Sequence, residues 1–141
     1  LMKTLFVSFI LLLSLMPSMV SADDLVVVAN KNNPLNELSK QQIIDIFMGR
    51  TTFYASGQRI ILLDQKLNSS TRKQFYLNLV NKTLNEINSY RARLLFSGRA
   101  TLPREVSDKE LINYLETDTD AIGYVEADKV NDKLKILGYV D

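Results

Sequence analysis

The chain contains no cysteine, no histidine and no tryptophan. Without cysteine there is no disulfide framework, even in an oxidising compartment. Without histidine the commonest general base and the commonest metal ligand are both missing. Charge of one sign is missing too. Lys3 is the one charged residue before Asp23, and without it the 17 basic residues fall level with the 16 acidic ones. A neutral chain gives no long-range steering toward nucleic acid or an anionic membrane surface. There is no low-complexity segment and no internal repeat. Beyond the N-terminal segment there is no apolar run near the roughly 20 residues that a membrane span needs.

What is present begins with an export signal. After Lys3 and Thr4 an apolar core runs from Leu5 to Leu15, broken only by Ser8 and Ser14. Pro17 follows, then Val20-Ser21-Ala22, the small-residue pattern of a signal peptidase site. Residues 1–22 therefore read as a cleavable signal peptide. A retained anchor is the competing assignment, but the apolar core is short for a span and Pro17 interrupts it. Residues 23–141 have the size of one compact domain with a core of its own.

Strand and helix patterns alternate along that domain. Leu25 to Ala29 is a continuous, β-branched apolar run, as in a strand buried on both faces. Ser39-Lys40-Gln41-Gln42 is a capping box that opens a helix through Ile43, Ile44, Ile46 and Phe47, with Gly49 as its stop. Ile60 to Leu63 is a second buried strand. A helix with Phe75, Leu79 and Val80 on one side follows Thr71. Thr83-Leu84-Asn85-Glu86 opens another boxed helix through Ile87, Tyr90, Leu94 and Leu95, ending at Ser97-Gly98. Pro103 breaks the chain. Ser107-Asp108-Lys109-Glu110 starts a third boxed helix, with Leu111, Ile112 and Leu115 inward. Ala121 to Val125 and Leu134 to Leu137 complete the strands. This alternation predicts an α/β domain with a mixed sheet flanked by helices.

The most informative place for chemistry is the link from the Ile60–Leu63 strand to the next helix. Free amides at a helix start, together with the positive end of its dipole, favour an anion. Ser69, Ser70 and Thr71 add hydroxyl donors there. The same spacing also serves an ordinary helix cap with no ligand. Arg99 and Arg104, beside Gly98, bring guanidinium groups that suit oxyanions; a solvated helix end accounts for them equally. Catalysis is not expected. Asp45, Asp64, Glu86 and Glu110 form no pair at a diagnostic spacing, and Ser70 has no histidine to activate it. Asp118, Asp120 and Asp128 do not follow a calcium-loop pattern. No metal and no cofactor is expected.

Two segments carry a family resemblance. Leu38-Ser39-Lys40-Gln41-Gln42-Ile43-Ile44-Asp45-Ile46-Phe47-Met48-Gly49-Arg50 resembles a helix of phosphate-type periplasmic solute-binding proteins. Ala121-Ile122-Gly123-Tyr124-Val125 resembles their "A-I-G-Y-V" strand, in the same order. More closely, the chain resembles short, single-lobe exported proteins of the phosphate ABC transporter substrate-binding-like group. The resemblance implies a single periplasmic-binding-protein-like lobe, a periplasmic location, and phosphate or a similar oxyanion as ligand. Position by position, Ser69 falls on the family's Ser, Ser70 on its Gly, Thr71 on its Thr and Phe75 on its Phe, with Arg99 as a counter-charge. Gln65 falls where the family has Arg and Leu67 where it has Asp; Asp64 replaces that acid only if the loop is realigned. Since a two-lobed binder needs roughly twice this chain, the expected site is open, or a second copy or another protein supplies its other wall. The partners implied are an ABC permease, an envelope sensor protein or a homodimer mate. The alternative function is an envelope protein-interaction module that has kept the lobe and lost the small ligand.

Overall fold

The computed structural model describes residues 24–98 and 102–141. The predicted signal peptide, residues 1–22, lies outside the described residues. Five strands form one sheet: β1 (Leu25–Asn30), β2 (Ile61–Gln65), β3 (Arg104–Val106), β4 (Ala121–Glu126) and β5 (Leu134–Val140). Four helices accompany them: α1 (Lys40–Phe47), α2 (Ser70–Val80), α3 (Leu84–Phe96) and α4 (Asp108–Thr117). A short 3-10 turn, Ala127–Lys129, follows β4.

The strand order is β3-β2-β4-β1-β5. β2 runs parallel to β3 and β4, while β1 is antiparallel to β4 and β5. The sheet is therefore mixed, as the alternation of elements predicts. The C-terminal ends of β2, β3, β4 and β5 share one edge of the sheet with the start of β1. Parallel strands need a crossover, and these are supplied by α2 with α3 and then by α4. That geometry gathers the starts of α2 and α4 at the same edge.

Period-two alternation divides the core. Leu25, Val27 and Ala29 face α1, α2 and α3, together with Ile43, Phe47, Phe75, Tyr76, Leu79, Ile122 and Tyr124. Val26 and Val28 face the other layer, with Leu63, Leu111, Leu115 and Val125. The Phe75 and Tyr124 rings stack at 3.8 Å, and Phe47 meets both edge-on. Gly138 sits where the β1–β5 register shifts, close under the side chain of Ile43.

Local signals hold well. The boxes at Ser39 and Thr83 are both complete, with side chain and backbone bonded reciprocally. Ser107 caps α4 by accepting from Glu110 N, as half of the expected box. Gly49 takes the left-handed conformation just after α1. The differences are instructive. β2 starts at Ile61 and continues through Asp64 and Gln65, which the sequence pattern leaves in a loop. β3 is not foreseen: three residues after Pro103 become a strand only because β2 offers an edge. β5 reaches Val140 rather than Leu137. Leu95, near the end of α3, is 51% exposed.

Candidate functional site

The edge formed by the ends of β2 and β4 holds Ser69, Ser70 and Thr71, three of the four residues expected to form an anion site. Ser69 caps α2, its hydroxyl accepting from Arg72 N at 3.2 Å. The same hydroxyl donates to Gln65 Oε1 at 2.7 Å. Gln65 in turn donates through Nε2 to the Tyr124 carbonyl at 3.0 Å. The Gln65 side chain therefore bonds back onto the sheet. Among the described residues, the amides of Ser70 and Thr71 meet no acceptor, as the first turn of a helix dictates. The Ser70 side chain is exposed.

Thr71 does not present its hydroxyl to solvent. It donates to Glu126 Oε1, at the end of β4. Lys129 Nζ lies 3.1 Å from Glu126 Oε2 and 3.4 Å from Asp108 Oδ2. A line of groups thus crosses the edge from Thr71 through Glu126 and Lys129 to Asp108 at the start of α4. Burial pushes the Glu126 carboxyl up, but the bonds from Thr71, its own backbone and Lys129 outweigh burial and hold it below the usual carboxylate range. The fold brings an acceptor carboxylate within bonding distance of the start of α2.

Ser69, Ser70 and Thr71 are therefore together at one helix start, with different commitments. Ser69 faces inward to Gln65, Thr71 faces Glu126, and Ser70 remains open. Arg99 lies outside the described residues. Arg104 is at the start of β3, its guanidinium bonded to the Tyr114 hydroxyl at 2.8 Å. Asp64 requires a correction: it is fully buried, because β2 extends two residues further than the pattern indicates. It cannot face a ligand at the edge.

Asp64 instead centres a buried network. Its Oδ2 accepts from Tyr76 at 2.7 Å and from Arg91 Nη1 at 3.0 Å. Its Oδ1 accepts from Gln65 N at 2.9 Å and from the Tyr124 hydroxyl. Arg91 also donates to the Tyr76 hydroxyl. Arg72, 1% exposed, sends Nη1 to the Gln65 carbonyl at 2.7 Å and to Glu105 Oε1 at 2.9 Å. Its Nε sits 3.8 Å from Asp64 Oδ1 and has no hydrogen-bond partner among the described residues. Burial and the Asp64 charge drive the Tyr76 hydroxyl well above its ordinary range, against the opposing pull of Arg91. Tyr124 moves up for the same first reason, burial, followed by Asp64.

Sequence inspection did not single out this network. A signal existed: Arg72 precedes Phe75 and Tyr76 by three and four residues, and Arg91 follows Ile87 by four. Those spacings place both arginines on the apolar faces of their helices. Glu126 carries no comparable local signal, since Thr71 is its partner only through the sheet order. Among the described residues no group of three or more acidic side chains is placed to hold a metal ion, and no helix is long and apolar enough to cross a membrane.

The chain matches no protein-family model and no curated protein. Solved structures do match. One, from Clostridium perfringens, is described as a phosphate ABC transporter substrate-binding protein with bound phosphate. It is 20% identical with a TM-score of 0.66, over 82% of this chain and 44% of that one. The fold is periplasmic-binding-protein-like. An ABC-type phosphate transport receptor from Vibrio cholerae superposes with a TM-score of 0.64 at 19% identity, over 82% and 45% of the two chains. PstS from Borrelia burgdorferi gives 0.64 at 16% identity, over 82% and 47%. This chain spans less than half the length of each of these structures.

Proposed function

We propose that this protein is an exported, non-catalytic solute-binding-like lobe that takes a small oxyanion, phosphate first, at the start of α2. The observation that carries this is the pair of unaccepted amides at Ser70 and Thr71, set at the strand-end edge of a fold found in a phosphate-bound relative. Ser70 adds the one hydroxyl of the three that is not already committed. Arg99 is proposed as the counter-charge. The Glu126 carboxylate sharpens the choice of ligand. An oxyanion beside it is repelled unless it carries a proton to donate, and phosphate does so near neutral pH while sulfate does not. A single lobe leaves the site open on one side. An ABC permease, an envelope sensor or a second copy of the chain is the proposed source of the other wall, and the periplasm the proposed location.

A melt of the purified protein with phosphate, sulfate and chloride at matched ionic strength tests this. Ligand at 100 times its Kd adds about 2.7 kcal/mol, a shift of several degrees for a domain of this size. The expected result is a shift with phosphate alone that Ser70→Ala reduces. Absence of any phosphate shift at tens of millimolar sinks the small-ligand assignment.

Glu126 also favours a second assignment. With a resident carboxylate bonded to Thr71 and Lys129, the edge is already partly neutralised. Under that assignment the lobe is an interaction module whose edge meets a protein partner. It predicts a partner contact that is indifferent to phosphate and to Ser70→Ala.

A further inference from the structure

A half-open cavity of about 340 Å³ lies between α3 and the chain around β3. Its residues are of two kinds. Arg72 and Arg91, both buried, belong to the charged network around Asp64. Ala92, Leu95, Leu102 and Pro103 bring apolar wall, and Asn88 and Glu105 complete the lining. The volume falls at the lower end of the range for small-molecule sites.

The guanidinium donors are only partly used. A guanidinium has five N–H groups. Arg72 spends Nη1 on Gln65 and Glu105, and Arg91 spends Nη1 and Nη2 on Asp64 and Tyr76. Arg72 Nε, 3.8 Å from Asp64 Oδ1, has no hydrogen-bond partner among the described residues. The two countercharges also differ. Asp64 is fully buried and fixed, whereas Glu105 has a 41% exposed side chain on the short edge strand β3. Glu105 is therefore the member of the network that an incoming anion is able to replace beside Arg72. Leu95 and Leu102, each about half exposed, extend the cavity as an apolar rim. A bare inorganic oxyanion leaves that rim unused.

We infer that this cavity binds a short-chain monocarboxylate, its head on the Arg72 and Arg91 guanidinium groups and its chain along Ala92, Leu95, Leu102 and Pro103. The site borders the proposed phosphate site, sharing Arg72 in the first turn of α2, but its assignment does not rest on that reading. The probe is hexanoate, titrated into the purified protein by NMR and calorimetry, with hexanol and hexylamine as controls. Hexanoate is expected to bind saturably at millimolar or lower concentration, and the controls are not. Ala92→Trp, an exposed position on α3, fills the cavity without touching the core and is expected to weaken hexanoate at least tenfold. Glu105→Gln removes the competing carboxylate and is expected to tighten hexanoate threefold or more. A purely structural role for the network predicts no such gain. No hexanoate binding, equal binding of hexanol, indifference to Ala92→Trp, or no gain with Glu105→Gln each overturns the assignment. Phosphate melts on the same variants keep the two sites distinguishable.

Discussion

Replacing Asp64 by asparagine tests the account of the buried network most directly. Asp64 is the one fully buried acid among the described residues, and both buried arginines approach it. Four donors converge on its two oxygens: Gln65 N, the Tyr76 and Tyr124 hydroxyls, and Arg91 Nη1. Asparagine keeps the shape but turns one acceptor into a donor, so at least two of those donors face an N–H. It also leaves Arg91 without a carboxylate partner. Breaking a buried pair from one side costs about 3–5 kcal/mol, a large part of a typical domain stability of about 5–15 kcal/mol. At roughly 4 °C per kcal/mol, the melting point should fall by about 12–20 °C. Urea unfolding should show a lower midpoint with an unchanged slope. Arg91→Met added to Asp64→Asn should cost less than the sum of the two single changes, because the second removes the stranded charge. A loss below about 1 kcal/mol for Asp64→Asn, or strict additivity in the double variant, refutes the claim that this carboxylate holds the arginines in place.

Further outcomes follow from packing and from titration. Gly138→Ala brings a Cβ to 2.8 Å from Ile43 Cδ1 and 3.1 Å from the Leu38 carbonyl oxygen; the crowding should cost about 1–3 kcal/mol in urea unfolding. Because Glu126 is held below its ordinary value of 4.5, its contribution to stability is complete above that value and is lost as pH falls through the lower folded value. Thr71→Val should return the Glu126 titration, followed by carboxyl NMR, toward the ordinary value. Burial pushes the Tyr54 hydroxyl up to about 12, against the bond from Asn33 and with the help of Asp120 and Asp118. A raised acid favours the folded state below its unfolded value, so its contribution should drain away as pH rises from 10 through 12. Tyr76 and Tyr124 act in the same direction. Tyr54→Phe should flatten part of that alkaline slope.

What the sequence determined by itself is local. The boxes at Ser39 and Thr83, the left-handed stop at Gly49 and the apolar runs at Leu25–Ala29 and Ala121–Val125 act between residues at most four apart, or through period-two burial. Together they set the α/β class, while the start of α2, read from the sequence as following Thr71, lies at Ser70 with Ser69 as its cap. The tertiary structure decided which of those residues face one another. β2 continued to Gln65 because β3 pairs with it from Leu63 to Gln65, and that carried Asp64 into the core rather than to the edge. Arg72 and Arg91 are buried beside the Asp64 carboxylate that the sheet carried into the core, and charges enter a core only when paired. Thr71 met Glu126 across 55 positions of sequence, a distance at which no local spacing rule operates. The commitment of the Thr71 hydroxyl was therefore settled by the strand order, whereas that of Ser69 is local, to Gln65 and the Arg72 amide.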